Sequence, residues 1–183
     1  MSPSKILFQL SGSIAAYKSC FAISSLVQAG HSVQVACSAG ALHFVGEATL
    51  EGLTGKPVFK DIYEHGRMMD HIHLAQWADL AILAPASASS IARLAHGDSS
   101  EVLGALYLAY GIKKPYLLAP AMNQEMLQHP AVRDNLKQLS LRGVSVLPTN
   151  SGNQACGDVG PGRMIEPEEI LAAIEAALKG SFL

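Results

Sequence analysis

Three side chains stand out for the chemistry they could do where they stand. His71 sits in His-Ile-His-Leu, Asn123 follows Pro-Ala-Met, and Cys156 lies between Ala155 and Gly157 in a glycine-rich stretch. Near neutral pH a histidine can take up or give a proton, a contribution typically worth roughly 10² to 10⁴ in rate; it can equally cap the segment that leads to Trp77. An asparagine amide both donates and accepts, so it can hold a carboxylate or simply make a turn. A cysteine among glycines suits an accessible loop, whereas Cys20 on an expected helix and Cys37 on an expected strand suit buried thiols. The pair His71 and His73 invites a metal reading. Alternate residues of an extended segment face opposite ways, however, and no third ligand lies at metal spacing, so no metal is expected.

A fourth feature is Ser11-Gly12-Ser13, which breaks the short apolar run of Ile6, Leu7, Phe8 and Leu10 before a helix-compatible stretch from Ile14 to about Ala29. A strand that turns on glycine into a helix leaves unpaired N–H groups at the helix start, where a phosphate binds readily. The same residues also serve as ordinary helix caps, and the stretch alone leaves both roles open.

Positioning these groups requires a regular framework. Ser32 to Cys37 alternates as a second strand and leads through Ser38 into a helical stretch ending near Gly52. Leu80 to Ala84 is a continuous apolar run of the kind buried on both faces of a sheet, followed by Pro85 to Ser90 and helices near Ile91 and from Glu101 to Tyr110. Further strands are expected at Tyr116 to Ala119 and Val144 to Leu147. A helix lies between them at Ala131 to Arg142, and a closing helix runs from Pro167 to Leu178. Residues 149–163 carry four glycines and read as a loop. Five strands alternating with helices predict an α/β fold, a mainly parallel sheet covered on both sides. Ligands of such sheets sit beyond the carboxyl ends of the strands, so Ser11 to Ser13, Ser38, Pro85 to Ser90 and Pro120 to Asn123 are expected to face one crevice.

Composition narrows the partners. The 183 residues, 49% hydrophobic, suit one domain spanning 1–183, and the formal charge of -2 comes from 13 basic and 15 acidic residues without blocks. That balance gives no footprint for nucleic acid or an anionic membrane, and points to a small molecule or another subunit. No apolar run has the roughly 18 residues of a membrane span, and no signal peptide is visible, so the cytoplasm is expected. Three well-separated cysteines make no disulfide framework.

Taken together, Gly12 to Lys18 (GSIAAYK), His71 to Asp79 (HIHLAQWAD), Pro85 to Ser89 (PASAS), Pro120 to Met126 (PAMNQEM) and Gln154 to Met164 (QACGDVGPGRM) resemble the homo-oligomeric, flavin-dependent cysteine decarboxylases. The resemblance spans roughly Lys5 to Glu169. It implies a single-domain, Rossmann-like flavoprotein fold, a three-layer sandwich, with FMN as cofactor. The flavin would be held by Gly12, Ser13, Ile14, Ser38, Pro85, Ser87, Ala88 and Ser89, between subunits of a trimer or an assembly of trimers. His71 and Cys156 would be catalytic, and Asn123, Met126, Ala155 and Arg163 would bind substrate, with 149–163 as a mobile clamp over it.

The implied reaction is decarboxylation of 4'-phosphopantothenoylcysteine to 4'-phosphopantetheine in coenzyme A biosynthesis. In that scheme the thiol is oxidised to a thioaldehyde, CO2 leaves, and the product is reduced again with a proton from Cys156. Relatives that lack this cysteine stop at the oxidised enethiol, so its presence disfavours the peptidyl-cysteine oxidative decarboxylases. A non-catalytic or regulatory flavoprotein is the other alternative. Three departures stand out: Ser89-Ser90 where many members read Asn-Thr, His96 to Leu103 (HGDSSEVL) in place of an Asp/Asn-rich run, and Leu127 where an aromatic is common. The substrate phosphate has candidate partners in Lys113, Lys114 and Arg163 on charge alone.

Overall fold

Short apolar runs flanked by small residues set the strand positions in the computed structural model, which describes residues 3–153, 157 and 159–180. The chain runs β1 (Lys5–Leu10), α1 (Ala16–Gln28), β2 (Ser32–Cys37), a 3-10 turn (Ala39–His43), α2 (Glu47–Thr54), α3 (Asp70–Trp77), β3 (Leu80–Ala86), α4 (Ala88–His96) and α5 (Val102–Ala109). It continues through β4 (Tyr116–Pro120), α6 (Gln124–Gln128), α7 (Pro130–Leu141), β5 (Val144–Val146), β6 (Thr149–Asn153), β7 (Val159–Met164) and α8 (Pro167–Leu178). The first five strands form a parallel sheet in the order β2-β1-β3-β4-β5. Chain direction across the sheet therefore reverses between β1 and β3, and the crevice of a doubly wound fold opens there.

Alternation along the strands builds a core on each face. Ile6, Phe8 and Leu10 of β1 and Leu80, Ile82 and Ala84 of β3 pack with α1, α2 and α8. Leu7, Ala81, Leu83 and Ala86 pack with α3, α4, α5 and α7. Every residue of β3 is buried, as its unbroken apolar run requires. Each Leu, Ile or Phe so enclosed contributes about 1.5–3 kcal/mol. Gln9 is the polar exception in β1. Its Oε1 accepts from the Tyr116 hydroxyl at 3.1 Å, and Tyr116 in turn meets Tyr107 and Tyr110 edge to face, with ring centroids 5.2 and 5.7 Å apart.

Two sequence expectations change here. The His71-Ile-His73 segment is not extended: it opens α3, where residues two apart are separated by about 200° around the axis, so the two histidines still point apart. The segment 149–163 is not simply a loop. Its flanks pair as antiparallel strands, β6 with β7, into a two-stranded arm separate from the main sheet. Glycine here marks close approach rather than an irregular path. A Cβ at Gly162 would lie 2.3 Å from the Met122 carbonyl oxygen, and one at Gly160 would lie 1.7 Å from the Gln124 side-chain oxygen. Stripped of side chains at these points, β7 lies directly on residues 122–124, and the Met122 amide donates to the Gly162 carbonyl at 3.0 Å.

Candidate functional site

Ser11 ties the carboxyl ends of β1 and β3 together. Its amide and hydroxyl both donate to the Pro85 carbonyl, at 3.1 and 2.7 Å, and its hydroxyl oxygen accepts from the Ser87 amide at 2.8 Å. The Ser11 hydroxyl is thus a staple across the crevice floor and not a group turned to the helix start; the Ser13 oxygen, which accepts from the Ala15 amide at 3.3 Å, takes that place. Gly12 lets the turn after β1 touch the turn after β2 backbone to backbone, for a Cβ there would sit 3.0 Å from the Gly40 carbonyl carbon. Ser38 is held alongside by its amide, which donates to the Leu10 carbonyl at 3.0 Å. Ser87 caps α4 by accepting from the Ser90 amide, while Ala88 and Ser89 form the first turn of α4. Serine at position 90 keeps a hydroxyl on the cap, bonded to Ser87 Oγ at 3.2 Å.

Asn123 ends the run after β4 and caps α6, its Oδ1 accepting from the Met126 amide at 3.1 Å. The cap and the ligand role described above are compatible, because the bond fixes which end of the amide faces the helix. Asn123 lines a cavity of about 590 Å³ with Ser13, Ile14, Tyr17, Lys18, Met122 and, from the arm, Asn153 and Arg163. The structure therefore brings Ser13, Ile14, Asn123 and Arg163 into one space. Met126 is exposed on α6 beside it. Ala155 and Cys156 lie outside the described residues.

His71 is elsewhere. It lines a second cavity, with Tyr63, Met68, Ile72, Ser99 and Leu108, on the α3 and α5 side of the sheet, and the two cavities share no residue. Its Nδ1 lies 3.0 Å from the Met68 carbonyl oxygen. A carbonyl only accepts, so this bond places the hydrogen on Nδ1 and leaves Nε2 as the basic nitrogen of the neutral ring. Apolar side chains are exposed around both cavities: Tyr63, Met68, Met69 and Leu108 near His71, and Ile14, Tyr17 and Phe21 along α1.

Of the basic residues singled out by charge, Lys114 belongs to the opposite end of the sheet. Its Nζ donates to the carbonyls of Ala75, Gln76 and Ala78 at 2.9, 2.9 and 2.7 Å and so closes the carboxyl end of α3. Arg163 alone of that group lines the Asn123 cavity, joined there by Lys18, which charge alone does not single out. A lysine on the inward face of an apolar helix was the available signal. The Cys37 thiol is pushed up to about 12, first by burial and then by the charge of Glu47, and burial also raises Cys20; both suit packing rather than reaction.

The residues present fit a flavin mononucleotide. Gly12 and Gly40 give a floor of bare backbone, and α1 starts there without a side-chain cap or an acidic residue in its first turn, which suits a phosphate. Ile14, Tyr17 and Met122 offer apolar walls for a flat ring.

Comparison with known proteins gives the family. The coenzyme A biosynthesis bifunctional protein CoaBC of Vibrio cholerae is 44% identical over 173 residues, covering 93% of this chain and 43% of the relative. The CoaBC protein of Mycobacterium tuberculosis is 41% identical over 177 residues, covering 97% of this chain and 42% of the relative. The chain thus spans less than half the length of the curated relatives it matches. Among solved structures, a PPC decarboxylase mutant complexed with pantothenoylaminoethenethiol superposes with a TM-score of 0.84 at 28% identity, covering 94% of this chain and 97% of that one. The FMN binding protein AtHal3 also gives 0.84 at 28%, covering 97% of each chain. The Flavoprotein family model matches residues 1–179, and the chain belongs to the flavoprotein family.

Proposed function

We propose that this chain is an FMN-dependent phosphopantothenoylcysteine decarboxylase of coenzyme A biosynthesis, acting in the cytoplasm and converting 4'-phosphopantothenoylcysteine to 4'-phosphopantetheine and CO2. The observation that carries this reading is the single cavity in which the start of α1, the Asn123 cap and Arg163 of the arm converge beyond the carboxyl ends of β1 and β4. Gly12, Ser13, Ile14, Ser38, Pro85, Ser87, Ala88 and Ser89 hold the FMN, which when bound supplies a two-electron acceptor for the substrate thiol and returns the electrons after CO2 has left.

The chain's own residues bind, orient and move protons. Asn123 and Arg163 hold the substrate, with Met126 and Ala155 against it. Nε2 of His71 takes the thiol proton, its tautomer set by the Met68 carbonyl. Because His71 and Asn123 line separate cavities, the site is completed between subunits of a homo-oligomer, a trimer or an assembly of trimers. The exposed apolar side chains around both cavities support this arrangement. The β6–β7 arm serves as the substrate clamp, and Cys156 returns the last proton.

The test is the visible spectrum of the purified protein, followed by anaerobic addition of 4'-phosphopantothenoylcysteine and mass analysis. A flavin spectrum with saturated 4'-phosphopantetheine is expected. Cys156→Ser should release CO2 yet accumulate a product two hydrogens lighter over reduced flavin, and His71→Asn should abolish CO2 release with the fold intact. A yellow protein inert toward this compound would remove the substrate assignment.

A further inference from the structure

Lys18 faces inward on α1 with Ala16, Ser19, Ala22, Ile23 and Leu26, and only 6% of it is exposed. A buried ammonium is costly unless it is paired. Its Nζ donates to Glu166 Oε1 at 2.7 Å and to the Met164 carbonyl at 3.1 Å. The same Glu166 oxygen accepts from Arg163 Nη2 at 3.3 Å, and the Glu166 carboxylate also accepts from the Glu169 amide at the start of α8. Two cations therefore share one carboxylate oxygen. Both cations line the Asn123 cavity, and among the described residues no carboxylate lines it.

An arginine beside a carboxylate ordinarily closes a two-bond fork at 2.7–2.9 Å, as charge-assisted pairs do. Here one longer bond forms, to the oxygen that Lys18 already holds. We propose that Lys18 is a positioning residue: by holding Glu166 it prevents that carboxylate from closing on Arg163, and so keeps the Arg163 charge turned to an anionic group of the ligand in the cavity. The idea rests on the substrate-binding role given to this cavity above. Removing the Lys18 charge releases Glu166 to neutralise Arg163, and the affinity for the ligand anion falls.

The test uses the flavin-loaded protein as wild type, Lys18→Met, Lys18→Arg, Arg163→Met and the Lys18→Met/Arg163→Met double variant. Probes are 4'-phosphopantothenoylcysteine, pantothenoylcysteine, which lacks the phosphate, and 4'-phosphopantetheine, which lacks the carboxylate. Lys18→Met should raise KM for 4'-phosphopantothenoylcysteine about tenfold, with a smaller change in kcat. Lys18→Arg should restore it, and adding Lys18→Met to Arg163→Met should change nothing further. If the loss persists with pantothenoylcysteine, Arg163 meets the carboxylate; if it appears instead in the Kd of 4'-phosphopantetheine, Arg163 meets the phosphate.

Thermal unfolding of the same set gives a readout that needs no substrate. Arg163 can take over Glu166 when Lys18 is lost, so Lys18→Met should lower Tm more in the Arg163→Met background than in the wild type. Additive effects on both KM and Tm, or no rescue by Lys18→Arg in a folded protein, would overturn the proposal. A wild type that ignores all three probes would instead remove the functional reading, while the Tm cycle still decides the role of Lys18.

Discussion

At the carboxyl ends of β1, β3 and β4 the chain turns on Ser11, Gly12, Ser87 and Asn123, whereas around the amino end of β4 three tyrosines and a lysine line a smaller cavity, of about 330 Å³. The cations follow the same division. Near the amino end, Lys114 closes α3 and Arg142 Nη1 donates to the Ala95 carbonyl in the last turn of α4 at 2.7 Å, so both answer the carbonyl ends of helices. At the other end, Lys18 and Arg163 share one acid and border an open cavity. One end of the sheet is finished by large side chains that bond within the fold and leave a cavity of about 330 Å³, and the other by small ones that leave backbone groups beside one of about 590 Å³.

Substitutions can break that division. The largest effect is expected from Gly12→Val. Its side chain would meet the Gly40 backbone, which cannot swing aside, so flavin affinity should fall at least about tenfold, beyond an overpacking cost of about 1–3 kcal/mol. Fluorescence titration with FMN measures it, and unchanged affinity would show that the two turns do not form the flavin floor. Lys114→Met should act in the opposite way, lowering stability in denaturant by about 1.5–3 kcal/mol through the lost charge-assisted bonds while the FMN Kd stays within about twofold. A large change in Kd would mean that the two ends are coupled through α3.

The smallest effect is one of slope. Burial raises the phenol of Tyr110 above its usual value, so the folded protein keeps this proton where the unfolded chain, titrating near pH ~10, gives it up. The contribution is complete below that pH and is lost as the pH rises through the folded value. Tyr110→Phe should therefore flatten the decline of stability above about pH 10 at a neutral-pH cost of about 0.5–1.5 kcal/mol, since the Pro115 carbonyl it releases still accepts from the Ala81 amide. An alkaline limb as steep as that of the wild type would assign the decline to other groups.

Much of the framework was legible from local pattern. Ile6 to Leu10 apart from Gln9, Leu80 to Ala84 and Tyr116 to Ala119 are apolar because they are buried on both faces, and the closing helix announces itself by Pro167 and the acids behind it. The arm was not legible, because glycine at 152, 160 and 162 signals irregular chain equally well until Met122 and Gln124 are seen beneath it. Lys114 was misleading for a related reason: its charge is visible in sequence, but the three carbonyls that occupy it come from residues 36 to 39 positions away. The separation of His71 from Asn123 also needed the third dimension, since both belong to sequence runs that suggest one site.

The bond from the Met122 amide to the Gly162 carbonyl joins the arm to the residue before Asn123. Any lifting of the arm must break it. The exchange rate of that one backbone hydrogen with deuterated solvent is thus a built-in gauge of how often the cavity uncovers, readable residue by residue without a label and before any substrate is added.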